Sequence, residues 1–285
     1  MTVAVTAQKT PRPLPKSTDN IGIATSYTSQ EWQRELVNKV TAFVQSNISF
    51  IGVDFLDPSS TFEKPSPSSS SSPSTTQPRS VRVLDYACGP GTMTAILAGR
   101  ASEFVGVDLS ENMVQAYNSR FADTTDPESD APTTTTSQED ERINAHAVVG
   151  NLLTTTTTTT TTGGEDSAAA LAGPQFYDFD LAVVGLGFHH FADIRLATRR
   201  LVERLKPGGV FMIVDFVTHA MEAEESPELK ESVNTISHHG FSEGELRAVF
   251  AEAGLDEFAL VRMGDHVTVR GSSKREPFMA RGRKV

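Results

Sequence analysis

The segment Asp85-Tyr86-Ala87-Cys88-Gly89-Pro90-Gly91-Thr92 puts small side chains at 87, 89 and 91, directly after an apolar run and directly before a helical stretch. Where Cβ is small or missing, backbone amides approach a ligand closely, and a following helix N-terminus suits polar or anionic groups. Seventeen positions beyond Gly91 the next apolar run ends on Asp108, a carboxylate able to accept both hydroxyls of a ribose and to repel a 2′-phosphate. A third run closes on Gly150-Asn151-Leu152, a tight turn whose amide can read a base edge while Leu152 and Leu109 sandwich the ring. After the fourth run stand His189 and His190. One of them can act as a general base or position an acceptor; the competing reading is a pair that caps the next helix and packs. His238 and His239 precede Gly240-Phe241 and can face the same cavity, but four histidines over two loops lack metal-ligand spacing, so no metal is expected. Cys88 reads as a small apolar residue with no base beside it in sequence.

These positions need a parallel sheet to bring them together. The runs Val81–Leu84, Glu103–Asp108, Ala145–Gly150, Phe179–Gly187 and Val210–Asp215 read as buried strands. Between them, Met93–Ala101, Glu111–Phe121 and Ile194–Leu205 read as helices, the last capped by Asp193 and stopped by Lys206-Pro207-Gly208-Gly209. Such alternation implies an open doubly wound α/β sheet whose ligand lies beyond the carboxyl ends of the strands, where the residues above are clustered. Trp32, Leu36, Val37, Val40 and Val44 mark an amphipathic helix before the first strand. Ser242 with Glu245 forms a capping box for a last helix ending at Gly254, and Phe258–Met263 with Pro277–Ala280 predict a terminal antiparallel pair.

Composition sets the boundaries. Of the 285 residues, the segments 1–20, 57–80, 122–142 and 154–174 read as tail or low complexity. They include a Ser/Pro tract and nine consecutive threonines, Thr154–Thr162, where a crossover helix is expected. What remains is one domain: a disordered tail over 1–20, a helical cap over 21–56, a linker over 57–80 and the main domain over 81–285. One cysteine excludes an internal disulfide framework and a CxxC-type zinc site. No apolar run approaches the 18 or so residues of a membrane span. The formal charge of −11 argues against a nucleic-acid partner, though seven acids against Arg142 fall within 122–142, whereas Arg262 to the end carries seven Lys/Arg against two acids. A cytoplasmic setting is expected.

Five ordered segments, VLDYACGPGT, FVGVDLSENMV, VVGNLL, FDLAVVGLGFHHF and LKPGGVFMIVDF, resemble the successive motifs of class I S-adenosylmethionine-dependent methyltransferases. The closest flavour is the small-molecule group that includes the ubiquinone and menaquinone methylating enzymes. The resemblance implies a Rossmann-like seven-stranded sheet, mostly parallel with one antiparallel strand at the C-terminal end, and S-adenosyl-L-methionine as methyl donor. It implies that Asp85 with Ala87, Gly89 and Gly91 holds the methionine moiety and that Asp108 takes the ribose hydroxyls. By the same resemblance Leu109 and Met113 line the adenine, Asn151 meets its amine, and Gly185 offers its carbonyl near the methionine ammonium. Ala87 departs from a commoner glycine and Asn151 from a commoner Asp. The implied reaction is in-line transfer to a small-molecule acceptor, with a lid from residues 31–44 and 217–237. The alternatives are a catalytically silent methyltransferase-like adaptor, a protein methyltransferase, or a nucleotide-binding oxidoreductase. The last is weakened by Thr92, where the dinucleotide fingerprint needs a small residue.

Overall fold

Alternating side chains on every central strand commit this chain to two hydrophobic layers. On β1 (Arg82–Tyr86), Val83 is buried on one face and Leu84 and Tyr86 on the other. β2 (Glu103–Asp108), β3 (Ala145–Val149), β4 (Phe179–Gly185) and β5 (Leu205–Phe216) follow in the chain. On β4 and β5, Leu181, Val183, Val210, Met212 and Val214 share the face of Val83, while Ala182, Val184, Phe211 and Ile213 share that of Leu84. All are fully or almost fully buried, each contributing about 1.5–3 kcal/mol for the larger side chains. This computed structural model describes residues 30–58, 79–122, 143–154, 170–219, 236–270 and 273–285. The tail, the Ser/Pro tract, most of the acidic segment and of the threonine run, and residues 220–235 of the lid expected over 217–237 lie outside them.

The helices are α1 (Glu31–Ser46), α2 (Ile48–Ile51), α3 (Thr92–Ile96), α4 (Glu111–Phe121), α5 (Ile194–Val202) and α6 (Glu243–Glu252). Caps fix three starts: the Ser110, Asp193 and Ser242 side chains accept from the amides of Met113, Leu196 and Glu245. After α6 come β6 (Leu255–Arg262), a hairpin of β7 (Val267–Val269) and β8 (Ser273–Arg275), and β9 (Pro277–Lys284). The main sheet has seven strands in the order β3-β2-β1-β4-β5-β9-β6, parallel throughout except for β9, which runs antiparallel to both β5 and β6. The strand order reverses between β1 and β4, so the crevice opens beyond their carboxyl ends.

Four expectations change, the first being that the helix expected over Met93–Ala101 is confined to Thr92–Ile96. The helix expected over Ile194–Leu205 ends at Val202, and Lys206-Pro207-Gly208-Gly209 belongs to β5, which starts at Leu205 opposite Phe179 with a register shift before Leu181. A β-bulge there admits Gly208 at φ 77°, so a helix stop and a strand entry share the same four residues. The helix expected to serve as a lid is built into the core instead: Val40, Phe43 and Val44 of α1 pack with Met93, Leu97 and Met212. Finally, the segment read as low complexity to residue 174 ends earlier, because Leu171 is fully buried and fills the space a Cβ on Gly150 would need.

Candidate functional site

The loop after β1 is a left-handed cradle. Ala87, Gly89 and Gly91 have φ of 55°, 51° and 81°, a backbone turn that β1 needs to enter α3 without leaving the sheet edge. The two glycines serve different ends. A Cβ on Gly91 would lie 2.3 Å from the Phe121 ring, so packing under α4 demands glycine there. A Cβ on Gly89 would meet nothing within 4 Å, so its missing side chain keeps the space above the loop open. Ala87 adopts the same left-handed conformation with a methyl group, at a cost of about 1 kcal/mol, the physical reason a glycine suits this position.

Asp108, at the end of β2, closes this cradle from the side. Its Oδ2 accepts from the Gly89 amide at 2.9 Å and its Oδ1 from the Ser110 amide at 2.9 Å. A carboxylate has about four acceptor sites, so two stay available to a diol. Burial pushes its pKa up, opposed by the amides of Ser110, Gly89 and Leu109. Next to it Leu109 is 62% exposed, a large apolar side chain held in solvent at the mouth of the crevice. Met113, half-buried, lies one turn further along in α4.

Asp85 lies beneath the loop rather than on its open side. It is 1% exposed, and its Oδ2 accepts from the Thr94 amide at 3.2 Å and the Thr94 hydroxyl at 2.9 Å, which ties the first turn of α3 to β1. Burial pushes its pKa up to about 7, the Thr94 hydrogen bonds pull it down, and Asp108 adds a like charge. No lysine or arginine enters the interactions that shift either carboxylate. A crevice walled by the Asp108 carboxylate, with an open glycine and an exposed leucine, fits a ligand with a diol and an apolar ring, and the buried Asp85 carboxyl beneath it favours positive charge above. Gly185 ends β4, and Met93 occupies the side on which a Cβ would stand, at 2.3 Å.

The turn after β3 is placed differently from its sequence reading. Leu152 is 6% exposed and belongs to the core, and its amide donates to the Tyr86 hydroxyl at 3.1 Å. The Asn151 Oδ1 accepts from the Leu153 amide at 2.9 Å and the Tyr86 hydroxyl at 3.4 Å, an Asx-type turn closed on itself. Burial pushes the Tyr86 pKa up to about 12, which keeps that phenol protonated and donating. Leu109 is thus the exposed apolar side chain of the pair, while Leu152 is part of the core.

Beyond β4 the chain makes a 3₁₀ turn, Phe188–His190, that sets the two histidines apart. The His189 Nδ1 lies 2.9 Å and 3.0 Å from the two Asp215 oxygens, and its amide donates to the same carboxylate at 3.1 Å. Asp215, at the end of β5, is fully buried and also accepts from the Phe216 amide. Facing a buried carboxylate, Nδ1 carries a hydrogen, and Nε2 is the ring nitrogen on the side away from Asp215. His190 is exposed, its ring centroid 4.2 Å from that of His189. The His189 carbonyl accepts from the Ser237 and His238 amides, which draws the 236–241 segment against this turn. Gly240, at φ 77°, lets that segment pass the Val217 carbonyl, 2.4 Å from where a Cβ would be.

A cleft of about 80 Å³ results, bordered by His189, His219, His238 and His239 and by Arg270 and Arg275 of the β7–β8 hairpin. Among the described residues no group of three or more His, Cys, Asp or Glu side chains is arranged to hold a metal. A larger cavity, about 230 Å³ between Phe241, Leu260 and Phe278, contains none of the strand-end carboxylates. Asp215 escaped the sequence reading because it looked like the polar end of a buried strand; its only signal was a charge closing an otherwise apolar run. Cys88 is buried, and burial pushes its thiol up, as expected for a packing residue.

Residues 53–258 match the methyltransferase-domain family. The chain belongs to that family. Its sheet order, with the antiparallel β9, is that of the class I S-adenosylmethionine-dependent methyltransferases, and its methyl donor is S-adenosylmethionine. An uncharacterized methyltransferase of Schizosaccharomyces pombe is 24% identical over 181 residues, covering 63% of this chain and 55% of that protein. The match thus spans about half the length of that relative. Two solved structures share the fold: the CurJ carbon methyltransferase (TM-score 0.53, 12% identity, 94% of this chain and 59% of that one), and the methyltransferase domain of the citrinin polyketide synthase (TM-score 0.50, 12% identity, 90% and 55%). Among the described residues this methyltransferase has no helix long and apolar enough to cross a membrane.

Proposed function

We propose that this methyltransferase passes the methyl group of S-adenosylmethionine to a small-molecule acceptor by in-line displacement, with His189 as the base and Asp215 as its positioning partner. The observation that carries this reading is the buried Asp215 carboxylate gripping Nδ1 of His189 at the carboxyl edge that also holds the glycine cradle and Asp108. When bound, the donor supplies a methyl group already electrophilic on its sulfonium. Asp108 would take the ribose hydroxyls and Leu109 and Met113 the adenine, while Asp85 answers the donor's positive charge from below the loop. Gly187 brings the His189 turn to the cradle, since its Cβ position lies 3.3 Å from that of Ala87. From there His189 Nε2 removes the acceptor's proton as the methyl bond forms, and Asp215 stabilises the imidazolium. His190, exposed beside it, would position the acceptor rather than take its proton. In-line holding and exclusion of water supply the rest of the rate.

The test is incubation of purified protein and a small-molecule extract with methyl-labelled S-adenosylmethionine. Label in a low-molecular-mass product, lost with Asp108→Ala, is the expected result. With that acceptor, His189→Gln and Asp215→Asn should each lower kcat by roughly 10²–10⁴-fold while leaving donor affinity unchanged. Unaltered kcat in both variants would remove the base from the mechanism.

A further inference from the structure

The cleft beside His189 collects positive charge in a chain whose net charge is −11. Among the described residues its polar border consists of four histidines and two arginines drawn from four separate chain segments, with no carboxylate among them; residues 220–235, which join His219 to Ile236 and carry five glutamates, lie outside that description. Asp215 is the acid beneath it, and that carboxylate is already engaged by His189 and two backbone amides. Each contributor is held in place by backbone bonds. The His219 amide donates to the His239 carbonyl at 3.0 Å, and their rings meet edge to face at 5.8 Å. His238 stacks on Phe241 at 5.3 Å, and its Nε2 is buried without a hydrogen-bond partner. Arg270 follows β7 at the turn of the β7–β8 hairpin and Arg275 ends β8 opposite Val267, and the chain entering the hairpin is tied to α1 by the Lys39 contact with the His266 carbonyl. Both arginines already have interaction partners, so a ligand would share them.

Resting on the methyltransferase reading above, we infer that the acceptor carries an oxyanion, a carboxylate or a phosphate ester, that binds in this cleft between the imidazoles and the two guanidinium groups. A cleft of about 80 Å³ accommodates one charged group. Donors of this kind make the strong, charge-assisted bonds that oxyanions select, Arg above all in paired geometry. Because His189 borders the cleft, and Gly187 at the start of its turn lies against Ala87 of the cradle, an acceptor anchored here by its charged end presents its remaining atoms to the base. The apolar Phe216, Ile236 and Val269 complete the lining, which suits a charged group borne on an apolar body.

The test is calorimetric titration of the full chain, with and without S-adenosylhomocysteine, using benzoate in one arm and inorganic phosphate in the other. Saturable binding of at least one probe is expected, weakened about tenfold or more by the double variant Arg270→Gln/Arg275→Gln and by His239→Gln, with S-adenosylhomocysteine affinity unchanged. The arm that saturates identifies the anion class. Absence of saturable binding of both probes up to roughly 20 mM, a free energy too small for a specific site, overturns the inference, as does binding that both variants leave unaltered. Failure of the chain to bind S-adenosylhomocysteine would instead strike the donor assignment, and the probe titrations on the free chain would still decide this one.

Discussion

Replacing Asp85 by Asn removes a buried charge whose energetic signature is pH-dependent. The native carboxyl is pushed from 3.8 up to about 7 by burial, against the pull of two Thr94 hydrogen bonds. Between about pH 4 and 7 the native state therefore holds a proton that the unfolded chain has released, and stability falls as pH rises through that window. Below it both states are protonated and Asp85 costs nothing. Above it both are ionised, and the native carboxylate costs about 4 kcal/mol, three units at 1.36 kcal/mol each. Asn keeps an acceptor for the Thr94 amide and never ionises, so it leaves the other acids of the chain as a common background. Urea unfolding of both proteins at several pH values from 4 to 8 should show the wild type losing about 4 kcal/mol relative to Asp85→Asn over this range. The donor's positive charge should favour the ionised form, so donor binding near pH 6 should release a proton. Calorimetry in buffers of different ionisation enthalpy measures that release. Stability curves that run parallel for the two proteins would refute the reasoning, since Asp85 would then titrate like an exposed carboxylate.

Other expectations are independent of this one. Asp108→Ala deletes the acceptor for two ribose hydroxyls and should weaken S-adenosylhomocysteine by about 10²-fold or more, at roughly 1.5–3 kcal/mol per charged hydrogen bond, with the fold retained by circular dichroism. The two cradle glycines should separate: Gly91→Ala should lower stability by about 2–4 kcal/mol through its clash with Phe121, read by thermal unfolding. Gly89→Ala, open in space, should lower it by only about 1 kcal/mol yet abolish donor binding by filling the crevice. Cys88, buried and with its thiol pushed up, should be unreactive toward a disulfide reagent in the native protein and should react at the rate of unfolding.

Much of the site was legible because parallel sheets tie sequence order to place. Each strand end lands at the same edge, so Asp108 and His189 could be placed there from their positions after apolar runs, whereas the burial of Asp85 beneath the loop was not legible. The capping residues Ser110, Asp193 and Ser242 were equally legible in two cases, since a short side chain that satisfies the first helical amides acts locally. Legibility failed where contacts are distant in sequence. Leu152 read as a wall of the site, but the Tyr86 hydroxyl captures its amide from β1 and turns the side chain into the core. Lys206-Pro207-Gly208-Gly209 read as a helix stop, but pairing of Leu205 with Phe179 recruits it into β5.

The amino-acid sequence by itself determined the order of the five parallel strands, the small residues of the loop after β1, the carboxylate at the end of β2 and the family resemblance, because each depends on local spacing and short-range backbone chemistry. Only the tertiary structure decided which glycine is kept for packing and which for access, since that turns on the Phe121 ring thirty residues away. It also decided that Asp215 reaches under His189 from the neighbouring strand, and that the β7–β8 hairpin carries Arg270 and Arg275 to the same histidines. Those contacts join residues separated by 26 positions and more, and no pattern within one element encodes the charge that such distant neighbours present to each other.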